Sequence, residues 1–181
     1  QRDGDVVEYD PVSASLIPLK MPINQNGDYW VSIGHRNHLA VRTGQLLNLR
    51  KNEICQYDLS TAQGKAFNNP AITTNAAMKD LSGNATVFGL WGGNANANNS
   101  TRASGGNAGL NDFLYLVNIA LGGNNTVIFG PPMSAAVYHN ADLNMNGVVR
   151  ASGGQAGVND FLFLVNMVLG GNNTLILNAH L

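Results

Sequence analysis

Residues 142–173 read "DLNMNGVVRASGGQAGVNDFLFLVNMVLGGNN", and the fold turns on whether this is a calcium loop feeding a helix or only a turn feeding one. In a twelve-residue calcium loop, oxygen side chains stand at positions one, three and five, a glycine makes the turn at six and a carboxylate closes the cage at twelve. Asp142, Asn144, Asn146 and Gly147 satisfy the opening. Position twelve falls on Gly153, which has no side chain to offer, and the next carboxylate is Asp160.

The stretch occurs twice. "NANANNSTRASGGNAGLNDFLYLVNIALGGNNTVIF" from Asn94 aligns without a gap to "DLNMNGVVRASGGQAGVNDFLFLVNMVLGGNNTLIL" from Asp142, a period of 48 residues with roughly two thirds of positions identical. In the second copy Phe161, Leu162, Leu164, Val165, Val168 and Leu169 recur at spacings of three and four, which lines one face of a helix. Phe113, Leu114, Leu116, Val117, Ala120 and Leu121 do the same in the first.

Asn111 and Asn159 stand where an N-cap belongs, Asp112 and Asp160 favour the positive end of the helix dipole, and Gly122 and Gly170 mark left-handed stops. Two helices of about three turns each cannot bury their apolar stripes alone, so they are expected to pack on each other. "TVIF" and "TLIL" are short strands or extended caps over that pair. "GPPMSAAVYHN" between the copies, broken by Pro131 and Pro132, is a loop.

Before residue 92 the apolar period shifts toward two. "DYWVSIG", "HLAVRT" and "ATVFGLW" have the pattern of strands, separated by the turn signals "NQNGDY", "RTGQ" and "LSGNA". Short strands at that spacing predict an antiparallel β-sandwich over 1–91, followed by the duplicated loop-helix pair over 92–181, an α+β chain. "TTNAAMKDL" is ambiguous, with a helical turn as one reading. "GDVVEYD" looks like a strand with almost nothing before it, and an open sheet edge there invites a strand from a partner.

Of the 181 residues only 12% are charged and the formal net charge is -1, so no electrostatic footprint for nucleic acid or an anionic membrane surface is expected. No apolar run approaches the roughly 20 residues that span a bilayer. The single cysteine, Cys55, cannot form an internal disulfide and is expected as a small buried apolar residue. Abundant asparagine, glycine, serine and threonine suit an exported protein whose loops are held by side-chain to backbone hydrogen bonds.

"DLNMNGVVRAS" with "VNDFLFLVNMVLG" resembles a dockerin repeat, the duplicated EF-hand-like loop and helix of secreted bacterial proteins. "GDYWVSIGHRNHLAVRT" resembles, more loosely, a domain found upstream of such repeats in adhesin-like surface proteins. The resemblance implies calcium held by Asp142, Asn144 and Asn146 side chains, the Val148 carbonyl and a closing Asp160. In the first copy it implies Asn94, Asn96, Asn98, the Ser100 carbonyl and Asp112, the only carboxylate there, and hence a weaker site. The chain departs from the dockerin pattern because "ASGGQAGVN" inserts about seven residues before the closing acid, an excursion whose closure cost grows only logarithmically with length. The competing reading makes "DLNMNG" an Asx-rich turn and the two aspartates helix-start residues.

Arg102 and Arg150 recur within "RAS", as partner contacts or, as favoured here, as salt-bridge or carbonyl-capping groups beside the loop. His35 and His38 in "HRNH" lie three apart, which on a strand sends them to opposite faces, so joint metal ligation requires a turn; surface or turn histidines are the expectation. The sequons at Asn84, Asn98, Asn99, Asn124 and Asn172 matter only in a eukaryotic secretory pathway.

The function expected is that of an extracellular, non-enzymatic structural or adhesive module on a bacterial cell surface, with calcium as a folding ligand and a protein partner or self-assembly as its interaction. Three alternatives accompany it: a docking module for a cohesin-like receptor, a filament subunit completed by strand addition, and an accessory domain of a secreted hydrolase.

Overall fold

Glycine, asparagine and proline interrupt the first half of the chain every few residues, so its strands are short. The computed structural model describes residues 7–10, 12–13, 15–18, 23–129 and 139–181. Two compact units emerge. The smaller comprises Gln1–Tyr29 with Leu47–Gln56, the larger Trp30–Leu46 with Tyr57–Leu181.

In the smaller unit β1 (Val7–Asp10) pairs antiparallel with β2 (Ser15–Pro18), the first of these being the strand expected in "GDVVEYD". There too β3 (Gly27–Tyr29) pairs with a strand later in the chain, Leu47–Leu49. Cys55 is exposed rather than buried, because the segment around it forms no regular element whose apolar face could cover the thiol.

The larger unit begins with β4 (Ser32–Ile33) and β5 (Val41–Arg42), antiparallel to each other; the Leu47–Leu49 strand of the smaller unit is β6. Two short 3-10 turns at Leu59–Thr61 and Gln63–Lys65, absent from the sequence expectations, precede the hairpin of β7 (Lys79–Asp80) and β8 (Phe88–Gly89). "TTNAAMKDL" is thus bends leading into a strand and not a helical turn.

The repeat follows as β9 (Ser100–Arg102), α1 (Asp112–Leu114), β10 (Ile128–Phe129), β11 (Val149–Arg150), α2 (Asp160–Leu162) and β12 (Ile176–Asn178). Each helix widens after one turn into a π-helical stretch, Tyr115–Ala120 and Phe163–Val168, closed by Leu121 N–H on the Leu116 carbonyl and Leu169 N–H on Leu164, both 3.0 Å. The glycines that end them lie in the left-handed region, with φ of 63° at Gly122 and 62° at Gly170. Most of the linker 130–140 lies outside the described residues.

The copies exchange strands. β10, from the first, runs antiparallel to β11 of the second, and β12, from the second, antiparallel to β9 of the first. Ile128 lies opposite Arg150 and Ile176 opposite Arg102, partners displaced by the same 48-residue period, so the duplication closes on itself like a twofold dimer in one chain. The expected helix packing is present: Leu116 and Leu164 are fully buried in one core, which also takes Leu39 and Trp91 from before residue 92. A second cluster, around Val41, Met78 and Phe88, fills the region under β5 and the β7–β8 hairpin.

Among the described residues the strands form six two-stranded antiparallel pairs beside the two short helices, an α+β-like arrangement.

Candidate metal centre

Each helix opens on an asparagine with two tasks. Asn159 Oδ1 accepts from Leu162 N–H at 3.0 Å as the N-cap, while its Nδ2 donates to the Gly153 carbonyl at 2.8 Å. Asn111 caps Leu114 at 3.1 Å and ties Gly105 at 2.9 Å. The same side chain therefore starts the helix and gathers in the glycine-rich excursion. Arg150 lies along that excursion, its Nε donating to the Ser152 carbonyl at 2.7 Å, and a Cβ on Gly153 would stand 2.7 Å from its guanidinium. Arg102 repeats this on Ser104 at 3.0 Å, so both arginines cap carbonyls beside the loop.

With the excursion folded aside, the carboxylate behind the cap returns to the loop. Asp160 is fully buried, its Oδ1 accepting from Leu143 N–H at 2.7 Å and Asn144 N–H at 3.1 Å, its Oδ2 from Arg150 N–H at 2.8 Å. Asp112 matches it, accepting from Asn96 N–H at 3.3 Å and Arg102 N–H at 2.8 Å. Burial pushes the Asp112 carboxyl up to about 7 and Asp160 to about 6, against the backbone N–H groups that favour the charge.

Within the second loop Asp142 accepts from Asn146 N–H at 3.0 Å and Gly147 N–H at 2.9 Å, Asn144 Oδ1 from Asn146 N–H at 3.1 Å, and Asn146 Oδ1 from Val148 N–H at 2.8 Å. These are nested Asx turns. In the first loop Asn96 Oδ1 accepts from Asn98 N–H at 3.2 Å, and Asn98 Oδ1 from both N–H and Oγ of Ser100 at 2.7 and 3.1 Å. Asn94 Nδ2 donates to the Asn98 carbonyl at 2.5 Å, and its Oδ1 is buried with no hydrogen-bond partner. Ala97 and Met145, at equivalent places, both take positive φ of 56°.

The donor set suits a hard cation, since every side-chain ligand is oxygen. A carboxylate offers about four lone-pair sites and an amide oxygen two. Asp142, Asn144, Asn146 and Asp160 therefore each keep acceptor capacity beyond these bonds, and Asn94 Oδ1 is a buried acceptor still lacking a donor. Among the described residues no three side chains of His, Cys, Asp and Glu come together, so a cation here relies on asparagine and carbonyl oxygen for most of its shell.

No family model matches this chain, and comparison with curated proteins and with solved structures finds no match either.

One contributor escapes sequence reasoning. Asn37, fully buried, donates from Nδ2 to the Asp142 carbonyl at 2.6 Å, and its own carbonyl accepts from Asn94 N–H at 3.0 Å. A single residue thereby fixes the first position of both loops. Its only sequence signal is membership of "HRNH", 57 and 105 positions from the loops it holds.

Proposed function

We propose that the chain is an extracellular, non-catalytic structural or adhesive module of a bacterial surface protein, whose duplicated loop-helix half is stabilised by calcium. One observation carries this reading: in both copies a buried carboxylate at the helix start turns back onto an asparagine-rich loop in which acceptor oxygen is left over, at Asn144 and Asn146 in the second copy and at Asn94 and Asn96 in the first. Calcium would be held by Asp142, Asn144, Asn146, the Val148 carbonyl and Asp160, and more weakly by Asn94, Asn96, Asn98, the Ser100 carbonyl and Asp112. The ion supplies positive charge to buried carboxylates that burial alone disfavours. The finer reading of the first ninety residues as a β-sandwich is supported by the antiparallel sense of the four strand pairs described there.

Thermal unfolding in millimolar calcium and again in excess chelator tests the metal. A ligand present at 100 times its dissociation constant stabilises by about 2.7 kcal/mol. For a chain of this size each kilocalorie raises the midpoint by about 2–4 °C. An unchanged midpoint removes calcium from the reading and leaves the Asx turns as packing.

A docking role is the second reading, favoured by Ile119 and Met167, which occupy equivalent helix positions and are 59% and 55% exposed. Capture of a cohesin-like receptor by the wild type and not by Ile119→Asp/Met167→Asp tests it.

A further inference from the structure

The turn at His35–His38 holds chemistry that the calcium reading does not use. On an extended strand these side chains would point apart. Here the chain turns at Arg36 and Asn37, and the imidazoles meet with Nδ1 to Nδ1 at 2.8 Å and their rings at 80°.

Asn37 completes the group. Because its Nδ2 is committed to the Asp142 carbonyl, the atom 2.8 Å from His38 Nδ1 is its oxygen. The His38 carbonyl accepts from Asn94 Nδ2 at 3.4 Å, which anchors the turn from its other side. Two imidazole nitrogens and an amide oxygen thus converge, and each neutral imidazole brings only one N–H. A proton on His38 Nδ1 is shared between two acceptors, whereas a cation accepts all three lone pairs.

We propose that this turn binds a divalent transition metal of the Cu2+ or Ni2+ class through Nδ1 of His35, Nδ1 of His38 and Oδ1 of Asn37, with water in the remaining positions. Imidazole with oxygen in a tetragonal array is the donor set of those ions. Two nitrogens 2.8 Å apart, each about 2.0 Å from a metal, subtend about 90°, the cis angle of a tetragonal site and tighter than tetrahedral zinc takes. His35 is exposed, so water reaches the open side. Asn37 fixes the oxygen in advance, since it is buried and held through both side chain and backbone. The site contains no oxygen of the proposed calcium set and stands whether or not those loops bind calcium.

The full chain, stripped with chelator and returned to millimolar calcium, is titrated with Cu2+ and followed by electron paramagnetic resonance. One tightly bound equivalent with hyperfine structure from two nitrogens is expected, with affinity falling from Cu2+ to Ni2+. His35→Ala, a change at an exposed position, is expected to keep the unfolding midpoint and lose at least about tenfold in affinity. His139→Ala, which removes an imidazole that is not part of the turn, should leave the copper affinity unchanged. Equal copper affinity in wild type and His35→Ala, or no nitrogen hyperfine structure, overturns the proposal and leaves a proton shared between the two rings.

Discussion

Phe113 and Phe161 stack across the axis that relates the two copies, ring centroids 4.2 Å apart and planes at 36°. They are one residue seen twice, each the first apolar side chain after a helix-start aspartate. The contact is therefore the point where the duplication becomes an interface.

Truncating either ring to alanine is expected to cost about 2–4 kcal/mol, toward the low end of Phe→Ala changes because both rings are only half-buried. A double-mutant cycle in denaturant should return a coupling of about 0.5–1.5 kcal/mol, the double variant losing less than the sum of the two single losses by that amount. Strict additivity would place the two rings in independent environments.

Asp160→Asn keeps the shape and replaces one acceptor oxygen with an amide that faces backbone N–H groups. Unfolding in chelator should show a loss of about 1–3 kcal/mol, because those donors are left unsatisfied in the interior. Any calcium-dependent rise in midpoint should also shrink. Asp142→Asn, whose carboxylate serves only two N–H groups, is the milder change in chelator.

His180 gives a pH signature. It is 1% exposed, Nδ1 accepting from Asn69 N–H at 2.8 Å and Nε2 standing 3.0 Å from the Asn75 carbonyl, so the neutral Nε2–H tautomer satisfies both partners. Burial lowers its pKa below the usual 6.5. Below 6.5 the unfolded chain binds the proton more readily, so the stability His180 contributes is complete above that pH and is lost as pH falls through the folded value. His180→Leu should cost about 1–3 kcal/mol at neutral pH by orphaning both partners. Its gap to the wild type in urea unfolding should narrow steadily as pH drops below 6.5.

Met145 and Ala97 hold positive φ at matching places in their loops. A side chain in the left-handed region costs about 1–2 kcal/mol, and glycine returns part of that gain through its larger unfolded-state entropy. Met145→Gly should therefore raise the unfolding free energy by about 0.5–1 kcal/mol, read from the urea midpoint. A decrease would show that the Met145 side chain contributes packing despite its exposure.

The sequence by itself determined what is local. Spacings of three and four residues, Asn111 and Asn159 as caps, and Gly122 and Gly170 as stops are each set by a few bonds within one helical turn, and all four residues stand in those roles. The repeat also announced that two equivalent helices would share a core, because an amphipathic stripe must be covered. The strand pattern before residue 92 located β5 and β8 for the same reason, since alternation is a property of the single chain, whereas "DYWVSIG", expected as one strand, is broken at Trp30 and Val31 into β3 and β4, which take different partners.

Only the tertiary structure decided who pairs with whom. Nothing in "TVIF" says that it joins the opposite copy's loop exit, because either copy offers the same free backbone groups and the choice rests on how the helices cross. Periodicity likewise leaves the last turns of both helices α-helical, whereas packing widens them to π. Asn37 clamps both loops and brings His35 to His38 through bonds spanning up to 105 residues, and such long closures are set by the folded core and not by any nearby pattern.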